Sequence, residues 1–217
     1  MATAALPPRT RTPAQQNARA VRHLKRVDPR LGTWIARVGP CPLAPVSGGT
    51  HFDYLSRCIV YQQLSGKAAG TIHGRYVQLF PADVHRPAHL LTLADEMLRG
   101  VGLSRGKMAS LRDLARRTHE GALPLDAIER LDDDAAIEAL SSVRGIGRWT
   151  AQMFLMFRLG RPDLLADLDL GVQKGVQKVY GLRKLPKPER VQEIGKVWAP
   201  YRTVATWYMW RVLELDD

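Results

Sequence analysis

Two stretches of the chain carry residue types that could do chemistry: "VRGIGRWTA" at 143–151 and "LADLDLGVQKG" at 165–175. In the first, Gly145 and Gly147 flank a single isoleucine between two segments of helical pattern. Glycine has no side chain to hold a neighbour away and tolerates positive φ. Both glycines can therefore turn backbone N–H groups outward at the start of the second helix, where the helix dipole adds positive potential. That arrangement suits a phosphate. Arg144, Arg148 and Lys174 lie close by in sequence and could reach adjoining phosphates. The competing reading is a tight helix–helix turn in which the glycines only permit close packing. In the second stretch Asp169 stands at a helix start, where the dipole favours an ionised carboxylate. An aspartate there also caps a helix through its side chain.

The elements that must position these groups read as helices throughout. Pattern and capping residues predict a helix over 133–142 and another over 148–159, with Ile146 inserted between them, so "VRGIG" forms a helix–hairpin–helix. "WTAQMFLMFRLG" is apolar nearly all round and belongs in a centre. "HFDYLSRCIVYQQL" predicts a helix with Phe52, Leu55, Ile59 and Val60 inward. Ser65 and Ser104 are predicted caps, Gly100 and Gly121 predicted helix ends, and Asp132 to Asp134 suit a helix N-terminus better than a cation. Further helices are expected from Leu170 to Tyr180, over 187–198, and after Pro200. Strand alternation is scarce, so the fold class is all-α.

The chain has 217 residues, 32 Lys+Arg against 21 Asp+Glu, and a net charge of +11. Such an excess implies a polyanionic partner, nucleic acid before membrane. No apolar run reaches transmembrane length, and the start lacks a signal-peptide apolar region. Cys41 and Cys58 are too few for an iron–sulfur cluster or an all-cysteine zinc site. His85 and His89 are separated by Pro87, which argues against a shared metal face. No metal is expected. Residues 1–13 read as a flexible tail.

Four segments, in order, resemble the helix–hairpin–helix DNA glycosylases, in particular the 3-methyladenine glycosylase II branch. They are "IVYQQLSGKAAGTI" at 59–72, "GLSRGKMASLRDLA" at 102–115, "LSSVRGIGRWTAQMF" followed by "LDLGVQKG", and "WAPYRTVATWYMW" at 198–210. The resemblance implies two helical lobes with a DNA-binding cleft between them, one from 66 to 180 carrying the hairpin and the other combining 14–65 with 181–217. It implies a monomer acting on double-stranded DNA that contains alkylated bases, in the cytoplasm of a prokaryote or the nucleus of a eukaryote. No cofactor is implied. A monovalent cation bridging hairpin carbonyls and phosphate would suit such a site, though the sequence itself does not show one.

The resemblance also assigns roles. Asp169 becomes the carboxylate that stabilises positive charge on the sugar as the N-glycosidic bond breaks, and that orients or deprotonates water. The target nucleotide must leave the stack, and Gln63 with Leu64 are candidates for the wedge that fills the gap. Trp210 is assigned to an aromatic pocket for the base, with Tyr54 and Trp149 as further candidates. Trp149 stands where lyase-type relatives often carry a nucleophilic lysine, so a water-mediated, monofunctional enzyme is expected. Alternatives are a non-catalytic DNA-binding module and a bifunctional lyase for oxidised bases. The branch commonly has two aspartates before Leu-Gly; here Leu168 replaces the first, and Asp167 is offset by one residue.

Overall fold

A computed structural model describes residues 12–81 and 87–215, and those residues form helices and connecting turns without a strand. The chain divides into two compact units. The first runs up to Pro45 and resumes at Gly160; the second is the continuous stretch Val46–Leu159.

The second unit holds α3 (His51–Tyr61), α4 (Gly66–Val77), α5 (Pro87–Thr92), α6 (Asp95–Gly100), α7 (Arg105–His119), α8 (Asp133–Ser141) and α9 (Arg148–Phe157). Side-chain caps start most of them: Thr50 on α3, Ser65 on α4, Ser104 on α7 and Asp132 on α8 each accept a first-turn N–H. Each such cap is worth about 1 kcal/mol. Asp132 is thus spent on capping. Phe52, Leu55, Ile59 and Val60 are all buried, as are Leu111 and Leu114 of α7. From Thr150 to Met156 every residue of α9 is buried, which places that helix at the centre of its unit. Arg158 closes the unit's edge by donating to the carbonyls of Val46, Gly48 and Gly49.

The first unit holds α1 (Pro13–Val27), α2 (Pro29–Val38), α10 (Leu170–Tyr180), α11 (Pro188–Gly195) and α12 (Arg202–Arg211). Asp28 ties its ends together. One carboxylate oxygen caps α2 through Leu31 N–H; the other accepts from Trp198 Nε1 at 2.8 Å and from the Tyr180 hydroxyl. Burial, with the Asp28 bond adding to it, pushes the Tyr180 phenol well above its ordinary value. The α10–α12 contact depends on absent side chains. A Cβ on Gly175 would lie 2.2 Å from the Met209 carbonyl oxygen.

The boundaries differ from the expected 65/66 and 180/181. α3 packs on α4, α7 and α9, so it joins the hairpin's unit, whereas α10 packs on α12 and α2 and leaves it. Local periodicity predicts each helix but not its partner. Two smaller corrections concern ends. Gly100 is the last residue of α6, as expected, but the left-handed glycine is Gly102 at φ 101°. Pro13 already belongs to α1, capped by Thr12, while residues 1–11 of the expected tail lie outside the described residues. His85 also lies outside them. Among the described residues no helix is long and apolar enough to cross a membrane.

Candidate active site and nucleic-acid interface

The hairpin between α8 and α9 is built as its glycines suggest, but for two different reasons. Gly145 takes φ 77°, and a Cβ there would sit 2.4 Å from Ser110 Oγ. Both backbone and packing exclude a side chain. Gly147 is ordinary extended backbone at φ −93°, exposed, and a Cβ would meet nothing within 4 Å. Its bareness serves neither turn nor packing. It caps α9 without a side-chain hydrogen bond. That leaves the helix start without an oxygen competing for an incoming anion. Ile146 is 2% exposed, inserted as expected. Arg144 and Arg148 are exposed beside it.

Two polar bonds brace this hairpin from within its unit, and a third ties α7 to α3 beside it. Asp113 of α7 accepts the Arg144 backbone N–H at 2.9 Å and ion-pairs with Arg116 and Arg117. Burial alone would raise the Asp113 carboxyl, but these donors outweigh it and hold it below the ordinary aspartate value. The stabilisation it lends is therefore complete above the unfolded value near 3.8 and is lost as pH falls through the folded one. Acidifying below that range is expected to lower the amide protection factors of the hairpin before those of the rest of the unit. Asp113→Asn should show the lower protection already at neutral pH, and equal protection in the two proteins would refute the brace. Gln62 Nε2 donates to the Gly145 carbonyl at 2.9 Å, and Lys107 Nζ donates to the Val60 carbonyl at 2.6 Å. Burial lowers the Lys107 ammonium below its usual value.

Those two bonds flank the turn after α3. There Gln63 adopts φ 56°, the only positive φ outside glycine among the described residues. Such a backbone costs about 1–3 kcal/mol and persists where surroundings enforce it. Gln63 and Leu64 are both exposed, Leu64 at 39%. A cavity of about 520 Å³ opens beside this turn, lined among others by Arg57, Tyr61, Gln62, Trp149 and Met153. Arg57 lies 4.0 Å over the Tyr61 ring. Sequence reasoning named Trp149 but missed Tyr61 and Met153. The signal was there in the spacing: Arg57 with Tyr61, and Trp149 with Met153, are four apart on one helix face. Tyr54 does not line this cavity. It packs edge-on against Phe154 at 5.7 Å, and burial pushes its phenol up to about 12.

In the first unit Asp169 caps α10. Its Oδ1 accepts the Val172 N–H at 2.9 Å and the Trp210 indole N–H at 2.9 Å. The capping reading of Asp169 is thus met, and the cap engages one oxygen of the carboxylate without neutralising its charge. Trp210 is half-buried on α12. Asp167 is buried and accepts from Gln192 at 2.5 Å, so it is a structural acid. Leu168 and Leu170, on either side of Asp169, are 52% and 53% exposed. Lys174 is exposed on α10.

Residues 56–200 match the family described as HhH-GPD superfamily base excision DNA repair protein. The chain belongs to the HhH-GPD superfamily. Among its relatives, the DNA-3-methyladenine glycosylase 1 of Schizosaccharomyces pombe is 34% identical over 172 residues, covering 76% of this chain and 74% of that protein. A crystal structure of DNA-3-methyladenine glycosidase from Bacillus halodurans superposes with a TM-score of 0.80 at 37% identity, covering 88% of each chain. The S. pombe 3-methyladenine DNA glycosylase Mag1, solved with abasic DNA, gives a TM-score of 0.79 at 31% identity, over 92% of this chain and 98% of that one. This HhH-GPD chain is therefore a base excision DNA repair protein by family. Within it, the structure brings Asp169 and Trp210 together in one unit. It brings Gln63 and Trp149 to the hairpin's cavity in the other, with Leu64 next to Gln63 in the turn.

Proposed function

We propose that the protein is a monofunctional DNA glycosylase that excises alkylated purines such as 3-methyladenine and 7-methylguanine, in the manner of the type II 3-methyladenine glycosylases. The observation that carries this reading is the Asp169 carboxylate, fixed by two N–H donors on one oxygen. Cleaving an N-glycosidic bond builds positive charge on the sugar, and a fixed carboxylate needs no reorganisation to stabilise it. Water is the nucleophile, with Asp169 as its orienting base. Alkylation at a ring nitrogen makes the purine cationic and a better leaving group, so the enzyme need not protonate it.

The hairpin holds the backbone through the bare start of α9, with Arg144, Gly145, Gly147 and Arg148 at the phosphates and Lys174 of α10 adding charge. Such contacts position the duplex without reading its sequence. Gln63 and Leu64 fill the gap left by the everted nucleotide, which the enforced backbone at Gln63 supports. Trp149 and Tyr61 in the hairpin's unit, and separately Trp210 in the other, offer aromatic faces that attract a cationic base; Tyr54 is packed against Phe154. A monovalent cation shared between hairpin carbonyls and phosphate belongs to this reading, although the Gly145 carbonyl already accepts from Gln62. The protein acts as a monomer, in the cytoplasm or nucleus according to its host.

Incubation with methylated duplex DNA is expected to release free methylated purine and to leave strands that break only after alkali. Borohydride should trap no covalent adduct, because Trp149 stands in place of a Schiff-base lysine. Release of base with direct strand cleavage would indicate the lyase alternative, and binding without release the non-catalytic one. Replacing Arg148 with Gln should weaken binding about equally on all sequences and flatten the salt dependence by about one unit of slope. An unchanged slope would remove Arg148 from the interface.

A further inference from the structure

The bonds at Asp169 say more about Trp210 than its motif does. We infer that Trp210 serves the reaction as a positioning residue, through its indole N–H on Asp169, and that Gly171 is the position that permits it. The inference rests on the glycosylase reading. Val172 donates from within the cap itself, three residues from Asp169, while Trp210 donates from α12, 41 residues away. A capped carboxylate can still rotate about its own side-chain bonds. A second donor from a different helix, converging on the same oxygen, fixes that rotation and the direction in which the charge is presented.

The passage for the indole is narrow. A Cβ on Gly171 would lie 2.9 Å from Trp210 Cδ1, 3.2 Å from Trp210 Nε1 and 3.0 Å from Asp169 Oδ1. It would press on both ends of the hydrogen bond at once, crowding the indole and the carboxylate oxygen. Gly171 lies within α10 and outside the left-handed region, so the backbone does not require glycine there. Glycine within a helix is otherwise unfavourable. The contact that a side chain there would force apart is the one to the proposed catalytic acid.

The aromatic face already proposed for Trp210 does not need the N–H, and phenylalanine separates the two contributions, because it keeps an aromatic face and loses the N–H. In single-turnover excision from methylated duplex, Trp210→Phe is expected to lower the maximal rate about 10- to 100-fold, the range for a hydrogen bond to a charged group. The enzyme concentration giving half-maximal rate should move less than about threefold. Gly171→Ala should show the same split, and Gly171→Ala with Trp210→Phe should be no slower than Trp210→Phe alone, since both remove one bond. The Trp210 indole N–H should exchange with solvent faster in Gly171→Ala than in the wild type. A wild-type maximal rate in Trp210→Phe overturns the inference, and so does weaker half-saturation at unchanged maximal rate, the mark of a stacking wall. If Gly171→Ala does not fold, the same split in Trp210→Phe decides alone. Wild-type protein that releases no base defeats the glycosylase reading instead, and indole exchange then still reports whether Gly171 protects the bond.

Discussion

Asp169→Asn should abolish base excision while leaving the fold and DNA affinity nearly intact. Asn caps helices about as well as Asp. Its carbonyl oxygen can occupy the place of Oδ1, accepting from both Val172 and Trp210. Packing and hydrogen bonds are thereby kept, and the removed quantity is the negative charge. Without it, nothing at that position offsets the charge developing on the sugar, and a loss of at least about 10²-fold in single-turnover rate is expected. Thermal unfolding should stay within a few degrees of wild type, and binding to an abasic duplex within a few-fold. Wild-type excision by this variant would end the assignment of Asp169. Lost excision accompanied by a large fall in melting temperature would mean that the cap, not the charge, had been measured.

Gly175→Ala is expected to have the largest effect on stability. Alanine in a helix normally gains up to about 1 kcal/mol over glycine. Here the added methyl would meet the Met209 carbonyl oxygen at 2.2 Å and its carbonyl carbon and Cα at 2.7 Å. These are backbone atoms, with no rotamer to yield, so α10 and α12 must separate. Overpacking of this kind costs about 1–3 kcal/mol. In a chain of this size that corresponds to a fall in melting temperature of roughly 3–10 °C. Excision should fall as well, because the Asp169–Trp210 bond spans the same two helices. Gly106→Ala is the control, since a Cβ there meets nothing within 4 Å. Equal melting temperatures for the two variants would show that the α10–α12 contact is not limiting.

How much of this could be read from residues alone depends on how local the information is. The hairpin was legible because Gly145, Ile146 and Gly147 act within one turn. Ser65, Ser104 and Asp132 were legible as caps because each bonds three residues ahead. Asp169 was placed at a helix start for the same reason. What stayed hidden spans long separations: Gln62 to Gly145, Lys107 to Val60, Asp28 to Trp198, and Trp210 to Asp169. Periodicity states which face of a helix is apolar, but not which helix covers it. For that reason periodicity predicts both α3 and α10 as helices and leaves undetermined the units they join. Trp210 was named from its motif, yet no spacing disclosed that its N–H, rather than its ring alone, meets the acid.

The discontinuous unit has a consequence for synthesis. A ribosome completes Val46–Leu159 as one uninterrupted piece. The hairpin and its cavity can therefore mature while Asp169 is newly emerged and the tryptophan that steadies it is 41 codons away. A nascent chain stalled in that interval would hold the bonds that brace the hairpin and lack the one from α12 that steadies Asp169.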